Sequence, residues 1–123
     1  VQVNPDLVGR YTEKQWSEVL LHEMLHGLGI GSFDEWDALL VGRDSPTAFF
    51  NGSAGRSGWL AAGGGGIQTT GVPVHTQDGD GSAYSHWSES VLRNELMTPF
   101  YSERDPSVPF SAITLGALRD IGW

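Results

Sequence analysis

The sequence predicts a mainly α fold with irregular loops and little sheet. Three observations carry that prediction. A run free of glycine and proline begins at Glu13 and lasts until Gly27. A second apolar run, opened by Ser111, ends at Gly122. Between them lies a long stretch cut by glycines, with only brief extended pieces. One domain over 1–123 suits this length, and a chain of that size buries roughly two-thirds of its unfolded surface. Its 17 glycines are about twice the usual share.

Taken in order, Val1-Gln2-Val3 alternates and predicts a short strand, with a turn at Asn4-Pro5-Asp6. Thr12 and Gln15 form a capping-box pattern, so a helix should begin near Glu13. Trp16, Val19, Leu20 and Met24 recur at three- and four-residue steps and mark its expected buried face. Gly27, Gly29 and Gly31 should close it by supplying positive φ. Ser32 to about Pro46 reads as loop, with a short turn near Trp36 to Leu40. Ala54 to Ala62 reads as a short helix running into Gly63-Gly64-Gly65-Gly66, a flexible connector. No Lys-Ser or Lys-Thr follows those glycines, so they do not read as a phosphate loop.

Val72-Pro73-Val74 predicts an edge strand, because proline cannot donate to a ladder. Gln77 to Ser82 is a polar loop, Ser88 to Asn94 a short helical turn, and Met97-Thr98-Pro99 a turn. Ser111 should cap a last helix from about Ala112 to Ile121. The tryptophans at 16, 36, 59, 87 and 123 read as core anchors.

The formal net charge of −8 argues against nucleic acid and anionic membrane surfaces, which require basic patches. The absence of cysteine excludes disulfides, thiolate zinc sites and a thiol nucleophile, while leaving the compartment open. No apolar run approaches the roughly 20 residues needed to span a bilayer. The chain opens at Val1 without a leader pattern, which reads as a processed product or a fragment.

The chemistry lies in His22-Glu23-Met24-Leu25-His26. Residues four apart sit about 40° from each other around a helix, so both imidazoles project from one face and can share a metal ion. Glu23 follows the first ligand and is placed to take a proton from metal-activated water. Two histidines and a water leave tetrahedral zinc one ligand short. His75 and His86 are the remaining histidines, and Glu89 and Glu95 offer a carboxylate instead. Asp78-Gly79-Asp80-Gly81-Ser82 with Glu89 mimics part of a calcium loop, but Ala83 stands where that loop requires glycine.

His22-Glu23-Met24-Leu25-His26-Gly27-Leu28-Gly29, the distant Ser85-His86-Trp87, and Asn94-Glu95-Leu96-Met97-Thr98-Pro99 together resemble the leishmanolysin-like metallopeptidases. Ile113-Thr114-Leu115-Gly116-Ala117-Leu118-Arg119-Asp120-Ile121-Gly122-Trp123 is similar to that family's tail. These peptidases are metzincins whose third histidine is separated from the zinc helix by a long insertion. In many other metzincins it comes six residues after the second, where this chain has Ser32.

The resemblance implies a metzincin-like zinc helix plus Met-turn subdomain. In it His22, His26 and His86 bind one Zn2+ and Glu23 is the general base. Met97 would be the Met-turn methionine under the site, and Gly29 would let the chain turn below the helix. Glu95 then reads as a structural carboxylate, His75 as a rim histidine or rival ligand, and Tyr101 as a weak candidate for a transition-state donor.

The short stretch before His22 has room for one strand at Val1 to Asn4, so the upstream sheet should be reduced or truncated. The expected activity is zinc-dependent endopeptidase cleavage of a protein or peptide substrate, in a secreted or extracellular protein. The rival expectation is a zinc-stabilised fold with little peptidase activity. Ca2+ at the Asp78 loop is a lesser cofactor expectation.

Overall fold

The computed structural model describes residues 5–79, 81–101 and 108–123. The strand expected at Val1 to Asn4 lies outside them, and Pro5–Leu7 form one 3-10 turn where a turn was expected. The main helix, α1, spans Glu13–Gly27. Its first turn is closed by the expected capping box. Gln15 N donates to Thr12 Oγ1 at 3.3 Å, and Thr12 N donates to Gln15 Oε1 at 2.8 Å.

The inward face of α1 differs from the apolar stripe. Leu20 and Met24 are 42% and 63% exposed, whereas Leu25 is 2% exposed. Trp16 and Val19 are half-buried, as are His22, Glu23 and His26. The helix is rolled so that its histidine face, flanked by Leu25, points into the molecule. Polar side chains can face inward because other segments satisfy them there. Gly27 remains helical, and the turn is made by Gly29 at φ 114° and Gly31 at φ 73°.

The middle of the chain is short elements joined by loops. Helix α2 spans Asp34–Asp37, strand β1 Leu40–Val41 and β2 Phe49–Phe50. Helix α3 spans Ser53–Ala61, β3 Val72–Pro73 and α4 Glu89–Leu92. The three strands form one antiparallel sheet in the order β1-β2-β3, with Leu40 opposite Phe50 and Phe50 opposite Val72. The glycine run is ordered rather than a loose connector. Gly64–Gly66 form a 3-10 turn, and Gly64 sits so close to the Trp59 indole that a Cβ would collide with it.

Beyond β3 the chain keeps pairing. Val74 bridges Trp87, Ser88 N donates to Pro73 O at 3.0 Å, and His75 N donates to His86 O at 2.9 Å. The small sheet therefore holds the segment that carries His86. Proline suits this place because its carbonyl is used and its nitrogen has no hydrogen to orphan.

An aromatic core lies under this layer. Trp36 stacks on Phe50 at 4.6 Å between centroids, and Trp87 packs against both at 5.1 and 5.7 Å. Trp36, Trp59 and Trp87 are core anchors as expected. Trp123 is not: it is 66% exposed, although its indole donates to Leu28 O at 2.7 Å. The last helix, α5, spans Ala112–Asp120, with Ser111 as N-cap, and packs along α3.

Asp120, at the end of α5, caps α3 from outside. Its carboxylate accepts from Ala54 N at 2.9 Å and Gly55 N at 2.8 Å, two amides that the first turn of a helix leaves unsatisfied. Asp120→Ala is expected to lower stability by about 1–2 kcal/mol, in the range of a lost N-cap, read by thermal or denaturant unfolding. An unchanged unfolding midpoint would show that this cap contributes nothing.

Candidate metal centre

Two segments distant in sequence bring three histidines to one point. His22 and His26 project from α1, and His86 comes from the strand-like segment beside β3. The Nε2 atoms of His26 lie 3.1 Å from those of both His22 and His86, and the third separation is 3.3 Å. Among the described residues these three form a group able to hold a metal ion.

The other ring nitrogens explain how the imidazoles are oriented. His22 Nδ1 lies 2.6 Å from Leu96 O, and His26 Nδ1 lies 2.7 Å from Ile30 O. His86 Nδ1 lies 3.1 Å from Ser82 O and 3.0 Å from Ser85 Oγ. A backbone carbonyl only accepts, so each Nδ1 carries the proton and donates. Each Nε2 is then a bare lone pair, and the three lone pairs face one another. They cannot hydrogen-bond to each other and repel unless a cation sits between them.

The donor set fits zinc on distance as well. Nitrogens at about 2.0–2.1 Å from a tetrahedral ion lie about 3.3 Å apart. Neutral imidazole is also the ligand form that zinc takes. Carbonyls holding the far nitrogen of a ligating histidine fix its tautomer and ring plane.

Two glycines permit the approach. At Gly29 the positive φ carries the chain under the end of α1, where an added Cβ would crowd the Phe33 ring. At Gly31 a Cβ would collide with the backbone of Ser85, the residue before His86. The loop after α1 and the His86 segment therefore touch backbone to backbone.

Burial favours the neutral rings. It pushes His86 down to about 4, with the hydrogen bond to Ser82 O opposing. His26 is also lowered, chiefly by burial, against the hydrogen bond to Ile30 O.

The remaining candidates lie as follows. Glu23 and His22 line a cavity of about 130 Å³ together with Val19, Pro99, Tyr101 and Val108. Tyr101 borders that cavity, and its hydroxyl donates to Glu18 Oε2 at 2.8 Å rather than joining the histidines. Burial and Glu18 push its phenol up to about 12. Met97 is fully buried in the core. Its amide donates to Glu95 Oε2 at 2.6 Å, and its carbonyl accepts from Trp87 N at 2.9 Å.

His75 is not brought to the histidine pair, and it is buried rather than on the rim, at 8% exposure. Its Nε2 meets Asp78 Oδ2 at 2.8 Å. Asp78 and Glu89 border a separate cavity of about 490 Å³, and Asp80 of the calcium-like loop lies outside the described residues. Glu95 is 4% exposed, bonded to backbone and hydroxyls, and lines the same cavity as His22 and Glu23, but it is not in the converging group.

Several contributors were invisible in the sequence. The carbonyls of Leu96, Ile30 and Ser82 orient the rings, and a backbone carbonyl has no residue signature. Glu18, the partner of Tyr101, carried no motif either.

No family model matches the chain. Over 53 residues it is 40% identical to the leishmanolysin-like peptidases of Drosophila melanogaster and Drosophila pseudoobscura pseudoobscura. That stretch is 43% of this chain but 7% of each relative's length. The similarity supports at most a distant relationship to that family. No solved structure matches. No helix among the described residues is long and apolar enough to cross a membrane.

The low His86 value has a measurable consequence in metal-free protein. The unfolded chain binds a proton on this histidine below about pH 6.5, whereas the folded chain does so only below about 4. Between those values the unfolded state holds more protons, so stability rises with pH. Stability is fully present above about 6.5 and is lost as pH falls toward about 4. The loss from His86 should reach roughly 3 kcal/mol. Denaturant unfolding with chelator present, compared with His86→Gln, checks this. A pH slope identical in both proteins would refute it.

Proposed function

We propose that this chain is the metal-binding, catalytic portion of a zinc-dependent endopeptidase of the leishmanolysin-like metzincin type. The observation that carries the reading is the convergence of three imidazole lone pairs with no donor among them. Glu23 beside His22 supports it, because a purely structural zinc site is closed by protein ligands and has no use for an adjacent base. The distant similarity to leishmanolysin-like peptidases points the same way.

In this reading His22, His26 and His86 hold the ion through Nε2. Zinc, when bound, supplies Lewis acidity toward the scissile carbonyl and acidifies a water molecule. Glu23 accepts the proton from the attacking water and delivers it to the departing amine nitrogen. No serine or cysteine nucleophile takes part, so no covalent acyl-enzyme forms. The cavity of about 130 Å³ beside Glu23 would receive an apolar substrate side chain.

Met97 would serve as the Met-turn floor and Gly29 as the turn below the helix. The chain would act as one domain on a protein or peptide, in a secreted or extracellular setting.

Two measurements test this. The purified chain should bind one Zn2+ and cleave casein or gelatin, with cleavage stopped by chelator and restored by zinc. Glu23→Ala should lower cleavage by about 10²-fold or more while zinc remains bound. Retained cleavage in that variant would sink the mechanism. Stoichiometric zinc with no cleavage by the wild-type chain would favour the zinc-stabilised fold.

A further inference from the structure

Below the histidines one buried carboxylate ties together the segments that carry two of them. Glu95 is 4% exposed, and Met97 N, Ser111 N, Ser111 Oγ and Thr114 Oγ1 all donate to it. Oε2 accepts from Met97 N at 2.6 Å, and Oε1 accepts from Ser111 Oγ at 2.6 Å and Ser111 N at 3.3 Å. Oε1 also accepts from Thr114 Oγ1. Thr114 Oγ1 also receives the Trp87 indole N–H at 2.8 Å. A hydroxyl can accept from Trp87 and donate to Glu95 at once, so Thr114 links the two. Four donors on its two oxygens suit the acceptor role of a carboxylate.

Two paths lead from this carboxylate to the metal ligands. The Met97 bond fixes the turn at residues 95–98, and the preceding carbonyl of Leu96 is the acceptor for His22 Nδ1 at 2.6 Å. The Thr114 bond fixes the Trp87 indole, and Trp87 follows His86 directly in the chain. Trp87 N also donates to Met97 O at 2.9 Å, which joins the two paths. His22 and His86 are far apart in sequence and share no regular element, so their relative placement depends on such ties.

We propose that Glu95 is a positioning residue for the metal centre, holding Leu96 and Trp87 so that His22 and His86 present Nε2 to one ion. The inference rests on the metal-centre reading above. It assigns Glu95 no bond to the ion.

The test compares Glu95→Gln, Thr114→Val and Asp120→Ala with the wild-type chain. Zinc affinity is measured by chelator competition, the visible absorption of the Co2+-substituted protein reports ligand geometry, and metal-free unfolding reports stability. An amide at position 95 places an N–H against donors, and should weaken zinc binding by about 10- to 100-fold with an altered Co2+ spectrum. Thr114→Val cuts only the Trp87 path and should weaken binding less. Asp120→Ala removes a cap that leads to neither ligand, so it should lower stability while leaving zinc affinity and the Co2+ spectrum unchanged.

Wild-type zinc affinity and spectrum in Glu95→Gln would overturn the proposal. If that variant does not fold, Thr114→Val decides: an unchanged affinity and spectrum overturns the proposal, and a weakened, altered site supports it. Equal weakening by Asp120→Ala would also overturn it, since affinity would then follow general stability. A wild-type chain that binds neither metal overturns the metal-centre reading itself, which separates the two failures.

Discussion

The arrangement depends on three N–H···O=C hydrogen bonds made by the far sides of the histidine rings. Each carbonyl accepts a hydrogen bond from Nδ1–H, and that tautomer turns an Nε2 lone pair toward the other two. A cluster of neutral rings with facing lone pairs is poor packing by itself, since the rings repel at 3.1–3.3 Å. It becomes favourable around a cation. The fold therefore gathers three imidazoles into a group able to hold an ion, and burial disfavours the charged form of His26 and His86.

This constraint explains the least expected features of the packing. Helix α1 turns its histidines inward and leaves Leu20 and Met24 in solvent, against the simple rule of apolar inside. The carbonyl of Ile30 reaches back to His26 only because the chain reverses at Gly29 and Gly31. That reversal in turn lets the backbone of Ser85 lie against Gly31, bringing His86 within reach of the helix. The short strands, too small for a core of their own, anchor the His86 segment through Val74, Pro73 and His75.

Below the rings the aromatic core and the Glu95 cluster supply rigidity in different ways. Trp36, Phe50 and Trp87 bury large area with few torsions, which suits a chain with few long helices. Glu95 supplies direction, because each of its hydrogen bonds fixes one backbone or hydroxyl group at a set angle. A buried carboxylate is tolerable here because both its oxygens have partners.

The sequence by itself determined the local features. The capping box at Thr12, the helix start at Glu13, the Ser111 cap and the paired histidines of one helix face all follow from neighbours within four residues. Such short spacings are read directly from helical geometry. It also determined the class of fold, mainly helical with a small sheet, because glycine breaks the middle of the chain into short pieces. Periodicity failed in part at the buried face of α1: Trp16 and Val19 are half-buried but Leu20 and Met24 are exposed, because the stripe describes propensity to bury and not what surrounds the helix.

Only the tertiary structure decided which distant group joins His22 and His26. His75, His86, Glu89 and Glu95 were all available by residue type, and His86 is the one whose Nε2 reaches the pair. It also decided which way each ring faces, through carbonyls that have no side-chain signature. The physical reason is that a metal centre is a long-range convergence of lone pairs. Its geometry is set by turns, backbone hydrogen bonds and close contacts between segments remote in sequence.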